Sequence, residues 1–252
     1  MGSIDLNCDM GESFGSWSMG PDAELMRYVS SVNIACGFHA GDAGTMRTTV
    51  ELAVANRVAI GAHPGYPDLQ GFGRRNMSMA PQELHDAVLY QISALKGICE
   101  AYGGRLNHVK PHGAMYNQAA ANREMSQAIA EAVLRADPSL IVYGLSGSAL
   151  IEEADRAGLR SASEAFADRT YRNDGSLTPR SEPDALVADV AAAAAQAVSL
   201  ARSGTVLTID GAAISVKADT ICIHGDGANA LEFAAAISAA FAENGIDIRS
   251  IP

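Results

Sequence analysis

Short β-branched runs alternate with longer stretches of helical period along the whole chain, and that alternation is the mark of parallel βα units. Seven strands are predicted, at Ser3–Cys8, Val32–Cys36, Val58–His63, Leu106–Lys110, Leu140–Leu145, Leu159–Glu164 and Thr220–His224. Helices are predicted at Asp22–Ser30, Asp42–Asn56, Pro81–Tyr102, Asn122–Ala136, Ser148–Ala157, Pro183–Arg202 and Asn229–Asn244. Several carry end signals, such as Pro81 with acidic Glu83 in the first turn and Gly103-Gly104 as a stop. Two stretches break the rhythm. Pro64 to Met79 is rich in glycine and much longer than most strand-to-helix connections, which marks it as a functional loop. Thr205 to Asp219 holds two short β-type runs around Asp210-Gly211, a hairpin signal. With no internal repeat and no shift in composition, residues 1–252 are expected to form a single barrel domain.

Alternate side chains on a strand face opposite ways. In the first strand Ile4, Leu6 and Cys8 share one face, and Asp5, Asn7 and Asp9 the other. Later strands repeat the pattern: Ala59, Gly61 and His63 oppose Val58 and Ile60, while Leu106, His108 and Lys110 run on to His112. Cys222, His224 and Asp226 oppose Ile221 and Ile223. An open doubly wound sheet reads apolar on both faces, whereas a closed barrel gathers polar groups at its carboxyl ends. The fold class expected is therefore α/β, a distorted seven-stranded (β/α) barrel, with incomplete closure left open. Its pocket would collect Asp5, Asn7, Asp9, His39, Asp42, His63, Lys110, His112, Glu164, Asp168, His224 and Asp226.

Charge narrows the partners. The 252 residues hold 18 Lys plus Arg against 29 Asp plus Glu, a net charge of −11. Only Arg74-Arg75 forms a basic cluster, so neither nucleic acid nor an anionic membrane is expected as a partner. The alanine-rich stretch from Val190 to Ala201 is too short to span a bilayer and is flanked by Asp189 and Arg202. The first residues carry no basic region and no apolar signal core, and a cytoplasmic location is expected. Cys8, Cys36, Cys99 and Cys222 form no C-x-x-C pair and read as reduced, mostly buried side chains.

Several motifs invite specific chemistry. Gly11-Glu12-Ser13-Phe14-Gly15 spells G-x-S-x-G, but Gly20 and Pro21 intervene before any helix, which argues against a nucleophile elbow. Residues 225–230 spell G-x-G-x-x-A, yet the chain ends too soon for a dinucleotide-binding half, leaving a glycine turn at a helix N-terminus. No P-loop sequence occurs. Histidines carry more weight, since His39, His63, His112 and His224 sit at or near the carboxyl ends of strands beside Asp9, Asp42 and Asp226. Such a mixture suits proton transfer or a His/carboxylate metal site, and spacing does not choose between them. Lys110 reads either as an anion-holding group or as one half of a buried ion pair.

Six segments, read in order, resemble a known family: Asp5 to Glu12, Asn33 to Asp42, Gly61 to Asp68, Val109 to Asn117, Glu164 to Tyr171 and Ile223 to Asp226. They are similar to the LamB/YcsF family, that of the A subunit of the prokaryotic 5-oxoprolinase, with Met10 and Met115 as slight departures. The resemblance implies a seven-stranded barrel related to glycoside hydrolase and deacetylase barrels. It also implies opening of 5-oxo-L-proline to L-glutamate with partner subunits B and C and with ATP as co-substrate, whose main binding site is left open between this chain and its partners. On the residue reading, Asp9 or His39 is the base for water, Lys110 and Arg169 are anion clamps, and His63, His112 and His224 complete a polar cup. Substrate-binding positions are Asp5, Asn7, Asp42, Glu164, Asp168, Arg169, His224 and Asp226, and no metal is assigned. Two other readings stand beside this one: a metal-dependent deacetylase or amidohydrolase acting alone, and a non-catalytic subunit that presents substrate.

Overall fold

The computed structural model describes residues 2–225, 227 and 229–252, so Asp226 lies outside the described residues. Its strands are β1 (Gly2–Met10), β2 (Ser31–Ala35), β3 (Ala59–His63), β4 (Leu106–Val109), β5 (Ile141–Leu145), β6 (Arg160–Phe166), β7 (Thr205–Leu207), β8 (Ala213–Ser215), β9 (Thr220–His224) and β10 (Ile246–Ile248). The helices are α1 (Asp22–Leu25), α2 (Ala43–Asn56), α3 (Pro81–Ala101), α4 (Gly113–Ala121), α5 (Arg123–Ala136), α6 (Ala149–Arg156), α7 (Val190–Ser203) and α8 (Ala230–Glu243). β1 to β6 pair in sequence order, β6 pairs with β9, and β9 returns to β1, every pair parallel. The result is a closed seven-stranded (β/α) barrel. All seven expected strands form it, and the Asp210-Gly211 hairpin is present as the antiparallel pair β7–β8.

The outward faces behave as the parity requires. Leu6, Ile34, Val109, Val142, Ala165 and Ile221 join one core with helical residues such as Val50, Ile92, Leu95, Ile129 and Phe241. Burying a side chain the size of Leu or Ile contributes about 1.5–3 kcal/mol, so this shell drives closure. The inner face is mostly polar and internally bonded. Asp5 accepts hydrogen bonds from the hydroxyls of Ser30, Ser31, Thr220 and Tyr143. Asn33 donates to Asn7 and Asp9 and accepts from His108 Nε2–H, while Asn7 donates to Glu164 and Thr220. Gly61 is required here because any Cβ would collide with the His108 ring. The ring is also stacked on Tyr143, 4.1 Å between centroids.

Four departures from the expected elements have local causes. The helix expected from Pro183 begins at Val190, where Asp189 caps it by accepting from Ala192 N–H. The residues before it are pinned instead to the β6 side: Asp184 is left-handed (φ 61°), and the Ala185 carbonyl accepts from Arg169. α1 stops at Leu25 and continues only as turns, since Ser30 N–H must already bond Leu6 O beside β2. α4 was not foreseen; it is a nine-residue helix packed by Met115, Tyr116 and Ala119 immediately before α5. β10 also escaped notice: three residues after the Gly245 turn pair with Gly2–Ile4, below the part of β1 that pairs with β9.

His108 makes the interior pH-sensitive. Burial, reinforced by Lys110 and His63, pushes its pKa down to about 3. The unfolded chain therefore takes up a proton that the native barrel refuses, and stability contributed by neutral His108 is lost as pH falls from about 6.5 towards 3. Urea unfolding at pH 6 and pH 5 should show the wild type losing about 1 kcal/mol more than His108→Gln over that step. Identical pH dependence of the two chains would refute the assignment.

Candidate active site at the barrel mouth

The carboxyl ends of the strands open into a cavity of about 690 Å³ lined by Asp9, His63, Lys110, His112, Tyr116, Phe166, His224 and the arginines Arg74, Arg169, Arg172 and Arg180, within the volume range of small-molecule sites. Lys110 lies at its floor. The ammonium is 3% exposed and touches Glu164 Oε1 at 2.8 Å, Asp9 Oδ1 at 3.0 Å and Cys222 Sγ at 3.0 Å. Burial alone would lower its pKa, but Asp9 and Glu164 outweigh that and raise it well above the lysine range. Burial would likewise raise Asp9, and His63 with Lys110 outweighs it to hold that carboxyl well below the usual range. Burial pushes the Cys222 thiol well up, so the sulfur beside Lys110 stays a thiol. Both readings of Lys110 thus meet in one group, since it closes a buried ion pair and lines the cavity.

His224, paired in register with Asp9 on the neighbouring strand, has Nδ1 2.7 Å from Asp168 Oδ2. A carboxylate accepts only, so Nδ1–H donates and Nε2 carries the lone pair, the orientation used by catalytic Asp-His pairs. Burial would raise Asp168, but His224 outweighs it and lowers the pKa. Phe166 stacks on the His224 ring and fixes its plane.

A third group lies where the Pro64–Met79 loop crosses the mouth. His39 and His112 are stacked with ring centroids 3.7 Å apart, and His63 meets both edge-on. Glu12 Oε1 lies 3.4 Å from His39 Nε2 and 3.5 Å from His112 Nδ1. Burial lowers the pKa of both His39 and His112, with His63 adding to each. The loop supplies the packing: Gly73 is left-handed (φ 61°), and a Cβ there would lie 2.8 Å from Cδ2 of the His112 ring and 2.8 Å from Cβ of His39. Asp68 holds the loop by pairing with the Arg75 guanidinium and accepting from Gly71 N–H. Among the described residues, two sets of donors come close enough for a metal ion, Glu12/His39/His63/His112 and Asp9/Cys222/His224.

The expected site residues divide by position. Asp9, His63, Lys110, His112, Arg169 and His224 line the cavity. Asp5 and Asn7 lie deeper in the barrel interior, and Glu164 is fully buried against Lys110. His39 is wholly buried behind His112. Asp42 is not brought into the cup: its carboxylate caps α2 and accepts from the N–H groups of Gly15, Gly44 and Thr45, which lower its pKa. Arg169 spends two nitrogens on the carbonyls of Thr178 and Ala185, and burial with Arg180 nearby lowers its pKa to about 10. Ser13 only braces its own loop through Met19. Glu12, Tyr116, Arg172 and Arg180 escaped the sequence reading as site residues. Glu12 lies past the end of β1, where strand parity no longer assigns a face.

A closed parallel barrel with oriented imidazoles, carboxylates and cations at its C-terminal mouth places this chain among (β/α) barrels that keep their chemistry at that end. The profile of the LamB/YcsF family matches residues 4–252. A protein from Bacillus subtilis (strain 168), named as the A subunit of 5-oxoprolinase, is 53% identical over 251 residues, covering 100% of this chain and 98% of that protein. Another of that name from Tolumonas auensis is 55% identical over 251 residues, covering both chains in full. The crystal structure of a lactam utilization protein from Thermus thermophilus matches with a TM-score of 0.94 at 46% identity, covering 99% of this chain and 100% of that one. The chain belongs to the LamB/YcsF family.

Removing the cation at the floor should be costly, because it strands Asp9 and Glu164 as buried like charges. Lys110→Met is expected to lower unfolding free energy by about 3–5 kcal/mol, and adding Glu164→Gln should recover part of that loss. Urea denaturation of the two variants checks this; a single variant as stable as wild type would refute it.

Proposed function

We propose that this chain is the A subunit of an ATP-dependent 5-oxoprolinase, opening 5-oxo-L-proline to L-glutamate in the cytoplasm together with partner subunits B and C. One observation carries the reading: a carboxylate-oriented imidazole opens onto a cavity rimmed by arginines, in a chain that matches, from end to end, relatives named as the A subunit of 5-oxoprolinase. Among the described residues, no helix is long and apolar enough to cross a membrane.

The chemistry accounts for the groups. A five-membered lactam is an unactivated amide whose closure is favourable, so transfer of a phosphoryl group from ATP to its oxygen prepares the carbon for attack. His224 Nε2 takes a proton as water adds to that carbon. Loss of phosphate from the tetrahedral adduct would merely regenerate the lactam. Productive collapse breaks the ring C–N bond, and the His224 imidazolium returns its proton to the departing nitrogen. The γ-glutamyl phosphate left behind is hydrolysed to glutamate and phosphate. Of the two bases expected from sequence, His39 is sealed behind His112 and Asp9 is engaged by Lys110 and His63. The Asp168–His224 pair therefore takes the proton-transfer role, while Asp9 and Lys110 set the field at the floor. Arg74, Arg172 and Arg180, with the remaining edge of Arg169, supply cationic rim for the substrate carboxylate and the phosphoryl group.

Glutamate release from 5-oxoproline plus ATP should appear only when this chain and both partners are mixed. Asp168→Asn and His224→Gln in the assembled complex should each lower kcat by about 10²–10⁴-fold. Robust turnover by this chain alone would instead favour an autonomous amidohydrolase, and unchanged kcat in both variants would remove the dyad from the mechanism.

A further inference from the structure

Two hydrogen bonds fix the protonation of the rings where the Pro64–Met79 loop meets β3 and β4. His63 Nδ1 lies 2.6 Å from the Lys110 carbonyl, and His112 Nε2 lies 2.8 Å from the Phe72 carbonyl. Carbonyl oxygens only accept, so both of these nitrogens carry the proton. In the neutral rings, the opposite nitrogens, His63 Nε2 and His112 Nδ1, then hold lone pairs. They face each other at 3.0 Å. Two lone pairs at that distance repel unless something positive lies between them.

The surroundings point to what that is. Neither ring nitrogen of His39 has a hydrogen-bond partner among the described residues, although the residue is completely buried, an arrangement that is ordinarily costly. His39 Nε2 points towards Glu12 Oε1, as does His112 Nδ1. Tetrahedral ligands about 2.1 Å from a zinc ion stand about 3.4 Å apart. Three of the six separations among the four donor atoms are 3.0, 3.4 and 3.5 Å, and all four atoms lie within 4.8 Å of one another. Rings that ligate metals also commonly donate their far N–H to backbone carbonyls, which orients them, and His63 and His112 both do so.

We propose that His39 Nε2, His63 Nε2, His112 Nδ1 and Glu12 Oε1 bind one divalent transition-metal ion of the zinc class. Three imidazoles and a carboxylate suit such an ion better than magnesium or calcium, which prefer all-oxygen sets. The neighbouring set, Asp9, Cys222 and His224, is a poorer site because the Lys110 ammonium already lies 3.0 Å from the Cys222 sulfur. The ion would sit beside the cavity floor, since His63 and His112 line both. This inference does not rest on the assignment of the lactam as substrate, and it is tested by binding rather than turnover.

The full-length chain, stripped with chelator and dialysed, should retain one equivalent of zinc after reloading at neutral pH, measured by mass spectrometry of the metal. Cobalt in its place should give the intense visible bands of a four- or five-coordinate ion. Glu12→Gln and His39→Ala, each confirmed by circular dichroism to be folded, should weaken zinc binding by at least about 10-fold. Failure of the wild-type chain to retain either metal would overturn the proposal and assign a proton on His63, held by Asp9 at 3.3 Å, to the gap between the rings. Unchanged affinity in both folded variants, or the weak bands of six-coordinate cobalt, would overturn it equally. If neither variant folds, the wild-type cobalt spectrum decides alone.

Discussion

The ammonium of Lys110, held between Asp9 and Glu164 in the barrel interior, is the interaction on which the rest of this site depends. Two carboxylates so close could not both stay ionised in a buried space without it. The same ion pair joins β1, β4 and β6, which stand in different parts of the closed sheet. Asn7 and Asn33 extend it downward by bonding Glu164, Asp9 and His108. The charge that makes the floor of the cavity electrostatically active is therefore also what ties the inner faces together.

Around that floor, three imidazoles are each given a definite hydrogen-bonding face by a neighbour that can only accept. Asp168 does this for His224, the Lys110 carbonyl for His63 and the Phe72 carbonyl for His112. Three different elements supply those acceptors: the segment after β6, the end of β4 and the long glycine loop. The loop matters through backbone as much as through side chains. Gly73 leaves room for two stacked rings while its neighbour Phe72 presents the carbonyl that orients one of them.

The seven barrel strands, the polar inner face of β1 and the long irregular connection from Pro64 to Met79 were legible in the chain itself. Period-two alternation is a local property and survives folding, so Asp5, Asn7 and Asp9 turned inward as read. Residues outside regular elements were less legible. Asp42 looked like a member of the cup because it follows His39 closely, but three backbone N–H groups claim its carboxylate. Arg169 looked like a free clamp, yet part of its guanidinium braces the segment of residues 178–185. The same bracing explains why the helix expected from Pro183 begins only at Val190, since tertiary hydrogen bonds hold the intervening chain in a non-helical path.

Sequence alone determined the seven-stranded α/β pattern, the polarity of each strand face and the types of residue available at the carboxyl ends, because these follow from alternation and spacing along one chain. Only the tertiary structure decided that the sheet closes through β9 onto β1, that Lys110 meets two acids, and that Glu12 joins three histidines from separate segments. It also decided which nitrogen of His63, His112 and His224 bears the proton. Those outcomes depend on partners between 27 and 215 positions apart in the chain, and no local pattern encodes the distance between such groups once the barrel has closed.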